Sequence, residues 1–74
     1  MKVSEIEVEK IYTNGKNRES QRVVLKIEEN PHYYDDPPVP CVFFKGIKGK
    51  YVGLESWITL KSFAKWAKAE VQEG

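Results

Sequence analysis

The sequence predicts an α+β fold: a small four-stranded antiparallel sheet, open or curled into a barrel-like form, followed by one C-terminal amphipathic helix. Three observations predict it. First, Leu60, Phe63, Ala64, Ala67 and Val71 recur at helical spacing, with Lys61, Lys65, Lys68 and Gln72 on the opposite face. Second, apolar and polar residues alternate with period two near both ends of the first thirty positions. Third, glycine and proline clusters punctuate the chain between apolar runs, as turns between strands require. The order is ββββα, in one domain spanning residues 1–74.

Residues 3–13 read as the first strand. Ile6, Val8 and Tyr12 alternate with Glu5, Glu7 and Glu9, which places the acids outward. Lys10 and Ile11 interrupt the alternation and mark a bulge. Asn14-Gly15 opens a turn, because both residues tolerate positive φ. Polar residues continue to Ser20, so the connection is wider than two residues. The second strand covers 21–29, with Val23, Leu25 and Ile27 on one face and Val24, Lys26 and Glu28 on the other.

Residues 30–40, Asn-Pro-His-Tyr-Tyr-Asp-Asp-Pro-Pro-Val-Pro, form a loop. Four prolines remove backbone donors and turn the preceding residues away from helix. A third strand at 41–45 is apolar on both faces and belongs in the middle of the sheet. Gly46 to Lys50 is a glycine-bearing turn. The fourth strand covers about 51–58, with Val52, Leu54 and Ile58 inward, and Thr59 caps the helix that follows.

Seventy-four residues make one domain, and at this size roughly 60% of the unfolded surface is buried on folding. Nine aromatic side chains, each able to bury on the order of 150–250 Å², can build a core that short aliphatics could not. The single cysteine, Cys41, excludes an intrachain disulfide and a cysteine-cluster metal site. Beside Val42 and Phe43 it reads as a buried thiol behaving as a small hydrophobe. The first residues turn acidic at once and hold no apolar run, so no secretory leader is expected. Nothing approaches the ~20 apolar residues of a membrane-spanning helix.

The formal net charge of +1 conceals a division. Residues 1–40 carry six Lys/Arg and eight Asp/Glu, a balance of 6 − 8 = −2. Residues 41–74 carry six Lys and three Glu, a balance of 6 − 3 = +3. The two halves of the sequence differ in sign, so a polarised surface is expected, but the imbalance is too small to argue for nucleic acid by itself.

No catalytic signature is present: no glycine-rich phosphate loop, no nucleophile elbow and no metal-ligand spacing. His32 is the only histidine, and Asp35 and Asp36 lie close to it in sequence. A proline-rich loop is a poor frame for a base–carboxylate pair or a metal site. The expectation is no enzyme activity, no metal and no cofactor. The loop suits recognition better. Tyr33 and Tyr34 offer contact area and hydrogen bonds at low entropy cost, with Asp35, Asp36 and Pro38 beside them. These five residues are the candidate contact set for a protein partner. The alternative reading is that the tyrosines fold back onto the core.

A second candidate surface is basic. Lys45, Lys48, Lys50, Lys61, Lys65 and Lys68 are accompanied by Glu55 alone among acids and are interleaved with Trp57 and other aromatics. Lysines with stacking aromatics are the composition of a surface for single-stranded nucleic acid. The cluster holds no arginine, the preferred reader of phosphates and base edges. A solvated lysine face is the plainer explanation.

The stretch Ser20-Gln21-Arg22-Val23-Val24-Leu25-Lys26-Ile27, taken with Trp57-Ile58-Thr59-Leu60-Lys61-Ser62-Phe63-Ala64-Lys65-Trp66-Ala67, resembles small uncharacterised proteins encoded by bacteriophages and prophages. The shared layout is Arg-Val-Val in a strand, followed later by Ser-Phe-Ala-basic-Trp-Ala. The chain departs from that layout in its long Pro/Tyr loop. The resemblance implies a phage accessory protein in the cytoplasm of a bacterial host, working by contact with a host or defence protein or with nucleic acid. It carries over no site residues.

Overall fold

The computed structural model describes residues 1–14, 20–29, 39–49 and 52–71. It is an α+β fold with five antiparallel strands in one open sheet and one helix. Along the chain come a 3₁₀ turn at Val3–Glu5, β1 at Ile11–Thr13, β2 at Gln21–Glu29, β3 at Pro40–Lys48, β4 at Glu55–Thr59, α1 at Leu60–Trp66 and β5 at Ala69–Val71. The spatial order is β4-β3-β2-β1-β5. The sheet has two rims and is not a closed barrel.

The first expected strand is mostly something else. Only Ile11–Thr13 is strand, while Val3–Glu5 winds into the 3₁₀ turn and buries Ile6 behind it. Val8, expected inward, is 43% exposed. The cause is at Glu9, whose φ is 70°. Its N–H donates to Val24 O at 2.8 Å, and the Val24 N–H donates to Lys10 O at 3.0 Å. Two residues thus oppose one, with the first left-handed, which is the bulge form that usually takes glycine. The sequence irregularity at Lys10 and Ile11 registers this bulge one residue late.

The hairpin of β1 and β2 forms as expected, with Ile11 opposite Val23, Tyr12 opposite Arg22 and Thr13 opposite Gln21. The strand bounds of β2 are those read from the sequence, but its facing is not. The register against β3 slips between Val24 and Lys26, leaving Leu25 as an extra residue. Val24 is therefore fully buried, Leu25 is exposed, and Ile27 returns to the core. Cys41 is a buried thiol, as expected, with Sγ 3.6 Å from Val39 O.

The helix is half its expected length. Thr59 caps it, accepting from the Ser62 N–H at 3.1 Å. It ends at Trp66, and Ala67 is already extended (φ −71°, ψ 130°). Val71, read as helical, instead lies in β5 opposite Ile11. Two interactions stop the helix. The Met1 α-ammonium donates to Ala64 O at 2.9 Å and Ala67 O at 3.0 Å, satisfying carbonyls that a further turn would use. The Lys68 N–H donates to Thr13 O at 2.9 Å and starts the pairing of β5 with β1.

The helix covers one face of β3 and β4 through Phe63. Phe63 is fully buried among Tyr12 (centroids 5.7 Å, near-perpendicular), Phe44 (5.9 Å) and Trp66 (5.4 Å). Val24, Val42, Ala64 and Ala67 complete the contiguous core with Ile6. Arg22 enters from the same face, and its guanidinium carbon lies 4.6 Å from the Phe44 centroid and 4.1 Å from that of Trp66. Such a sandwich joins charge to quadrupole and adds stacking area.

Two predictions follow from this core. Phe63→Ala removes the ring on which three others converge, so stability should fall by about 3–5 kcal/mol. Urea unfolding measures it, and a variant as stable as the parent would contradict the packing described.

Tyr12 supplies the second. Its hydroxyl donates to Glu5 O at 2.9 Å and accepts from the Glu7 N–H at 2.8 Å, tying the 3₁₀ turn to the sheet. Burial raises its pKa above the ordinary value; the Glu7 N–H pulls it down in part, and Glu70, Glu7 and Glu5 push it up. Above the unfolded value of about 10, the unfolded chain releases a proton that the folded chain still holds. Stability from this group is therefore whole below pH 10 and lost as pH rises through the folded pKa. Tyr12→Phe should cost about 1–3 kcal/mol at pH 7 and lose less stability than the parent between pH 9 and pH 11. Equal alkaline losses in the two chains would refute the assignment.

Candidate interaction surfaces

The β3–β4 register is unbroken from Cys41 opposite Thr59 to Lys45 opposite Glu55. Strict alternation therefore separates two faces. Val42, Phe44, Ser56 and Ile58 face the helix. Phe43, Lys45, Glu55 and Trp57 face away from it. On that second face Phe43 and Trp57 lie directly across from each other, ring centroids 5.1 Å apart and planes tilted by 39°. Both are half-buried.

This alternation divides the expected basic surface. Lys45 shares a face with Trp57 and stands opposite Glu55. Lys61 and Lys65 are exposed on α1, on the other side of the sheet. Lys68 is exposed but is no longer on the helix, so the ridge of three lysines reduces to two. Lys48 is exposed at the end of β3. Lys50 lies outside the described residues. The structure thus brings Lys45 and Trp57 together but does not gather the cluster onto one surface. The five loop residues, Tyr33, Tyr34, Asp35, Asp36 and Pro38, and His32 with them, also lie outside the described residues.

The end of the β3–β4 hairpin departs from the expected alternation. Val52 and Leu54, expected in the core, are 64% and 47% exposed, and Ile47 on the facing strand is 36% exposed. Two bulges are the reason: Ile47 is an extra residue of β3 between the partners of Gln21 and Arg22, and a second bulge precedes β4. The Gly53 N–H donates to Gly46 O at 2.7 Å, and the Gly46 N–H donates to Leu54 O at 2.8 Å. Gly53 has φ 88°, and nothing lies within 4 Å of where a Cβ would be. Strand pairing in β4 therefore begins at Glu55. Gly53 between two apolar residues was the available signal, since an isolated glycine in a strand pattern marks a bulge.

A separate groove of about 300 Å³ opens where α1 begins. Val3, Val39, Pro40 and Leu60 line it, with Thr59 and Lys61 at its edge. The Thr59 hydroxyl donates to Ser62 Oγ at 2.8 Å. Among the described residues, no three His, Cys, Asp or Glu side chains are grouped to hold a metal ion. No described helix is long and apolar enough to cross a membrane.

Comparison with protein-family models, with curated proteins and with solved structures finds no match.

Proposed function

We propose that this chain is a non-enzymatic binding module that acts by contact with another protein. The observation that supports this reading most is the hairpin end, where Ile47, Val52 and Leu54 are exposed beside two bulges. Exposed apolar side chains brought close together mark contact sites. Lys45 and Lys48 are exposed on the same hairpin and are the polar residues proposed to border this contact. Tyr33 and Tyr34 are the proposed second set of anchors. The resemblance of the segments around Arg22 and Phe63 to bacteriophage proteins supports a phage accessory role against a host or defence component. Nucleic-acid binding is the rival reading, and the split of its lysines between two sides of the sheet counts against it.

Both readings meet in one experiment. The labelled chain is titrated with single- and double-stranded oligonucleotides at about 150 mM salt, where the screening length is roughly 8 Å. In parallel, the parent and a Val52→Asp/Leu54→Asp variant capture partners from nuclease-treated bacterial lysate. Both substituted residues are exposed, so the variant should fold. The expected outcome is no submicromolar oligonucleotide binding, and a captured protein whose retention falls at least about tenfold in the variant. Submicromolar oligonucleotide affinity abolished by Lys45→Glu with Lys48→Glu would overturn the proposal in favour of nucleic acid. The slope of affinity against salt would then be about −0.7 per phosphate contacted.

A further inference from the structure

Lys68 stands between two hydrogen-bonding arrangements. In a helix continued past Trp66, its N–H would donate to the carbonyl four residues back, Ala64 O. In the structure it donates to Thr13 O at 2.9 Å, and Ala69–Val71 pairs with β1 as β5. Ala64 O accepts instead from the Met1 α-ammonium at 2.9 Å, and the same nitrogen donates to Ala67 O at 3.0 Å. Phe63 O accepts from the Ala67 N–H, and Trp66 O accepts from Asn14 Nδ2 at 2.7 Å. Ala64 and Ala67 are buried, and a carbonyl left in such a place without a donor is costly. A cation is also favoured at a helix C-terminus. Residues 67–71, Ala-Lys-Ala-Glu-Val, suit a helix by composition, since Ala, Lys and Glu are good helix formers.

We propose that the Met1 α-amine is a modification site whose acylation converts residues 67–71 from strand to helix. An acyl group, or a peptide bond to a preceding residue, leaves this nitrogen uncharged and with one N–H where the ammonium has three. One N–H does not serve both Ala64 O and Ala67 O. Ala64 O is then open to the Lys68 N–H, the helix gains its next bond, and Thr13 O loses its donor. Each further residue adds one helical bond in place of its pairing with β1. The acyl donor is a thioester. The amine loses one proton to solvent and attacks the acyl carbon; the C–N bond forms as the C–S bond breaks, and the thiol leaves with a second proton from the nitrogen. The change is confined to 67–71, because Phe63 and its ring cluster hold the helix up to Trp66. It uncovers the outer rim of β1 at Ile11–Thr13. The hairpin end takes no part in it, so the switch stands or falls apart from the proposed function.

Three chemically prepared forms of the intact chain test it by NMR: free amine, N-acetyl and N-monomethyl at Met1. Monomethylation keeps the charge and two N–H donors, enough for both carbonyls. The free and monomethyl forms should show strand carbon shifts at Ala69–Val71 and backbone NOEs joining Ile11 with Val71. In the acetyl form helical shifts should run through residue 71, and the strand population read from those NOEs should fall at least about tenfold. The contact of Tyr12 with Phe63 should be present in all three forms. Strand shifts at 69–71 in the acetyl form would overturn the proposal. So would an acetyl form in which 67–71 is neither helix nor strand, or in which the Tyr12–Phe63 contact is lost. A monomethyl form that behaves as the acetyl form does would overturn it too, by assigning the effect to bulk at the nitrogen.

Discussion

The docking of Phe63 is the constraint on which the rest of the structure depends. A helix of seven residues is far below the ~12–15 at which isolated helices become marginal in water. Thr59 helps by capping, but a cap contributes only about 1 kcal/mol. The helix exists because Phe63 closes a ring cluster with Tyr12, Phe44 and Trp66, drawing on β1, β3 and α1 at once. Tyr12 extends that dependence to the N-terminal turn through its hydroxyl. Arg22 extends it to β2 by lying against Phe44 and Trp66. A cluster reached from so many elements makes a small domain cooperative, since none of them has a core of its own.

Bulges decide what the core leaves outside. Glu9 and Gly53 are both left-handed, and each sets two residues against one on the neighbouring strand. The first turns the chain from the 3₁₀ segment into β1 and frees Val8 to solvent. The second ends the regular pairing of β4 and leaves Val52 and Leu54 exposed. Leu25 is an extra residue in β2 and exchanges the faces of that strand midway. Because side chains alternate with period two, each inserted residue inverts the facing of everything beyond it. Val8, Leu25, Val52 and Leu54 are exposed beside those insertions.

The same physics explains which parts of the fold were legible from sequence. The β1–β2 hairpin, the interior place of β3, the Thr59 cap and the buried Cys41 rest on local patterns, and the structure has them. Bulge positions depend on hydrogen bonds between distant residues, such as Glu9 with Val24, and alternation alone cannot locate them. Residues 67–71 depart furthest from the expected helix. Ala67, Lys68, Ala69 and Val71 suit a helix by propensity and spacing, yet an unpaired β1 rim and the Met1 ammonium pull them into a strand. Tertiary pairing overrides propensity where a helix is short. Of the candidate contacts, the division of the lysines between two sides of the sheet required the register of β3 with β4.

With Phe63 docked, the helix stops at Trp66 and the chain returns as β5. NMR assignment of residues 60–71 tests this most directly. Helical carbon shifts should end at Trp66, strand shifts should cover Ala69 to Val71, and backbone NOEs should join Ile11 with Val71 and Tyr12 with Glu70. The Lys68 amide should exchange slowly, being bonded to Thr13 O. Helical shifts continuing through Val71, with no NOE to β1, would contradict the account at its centre.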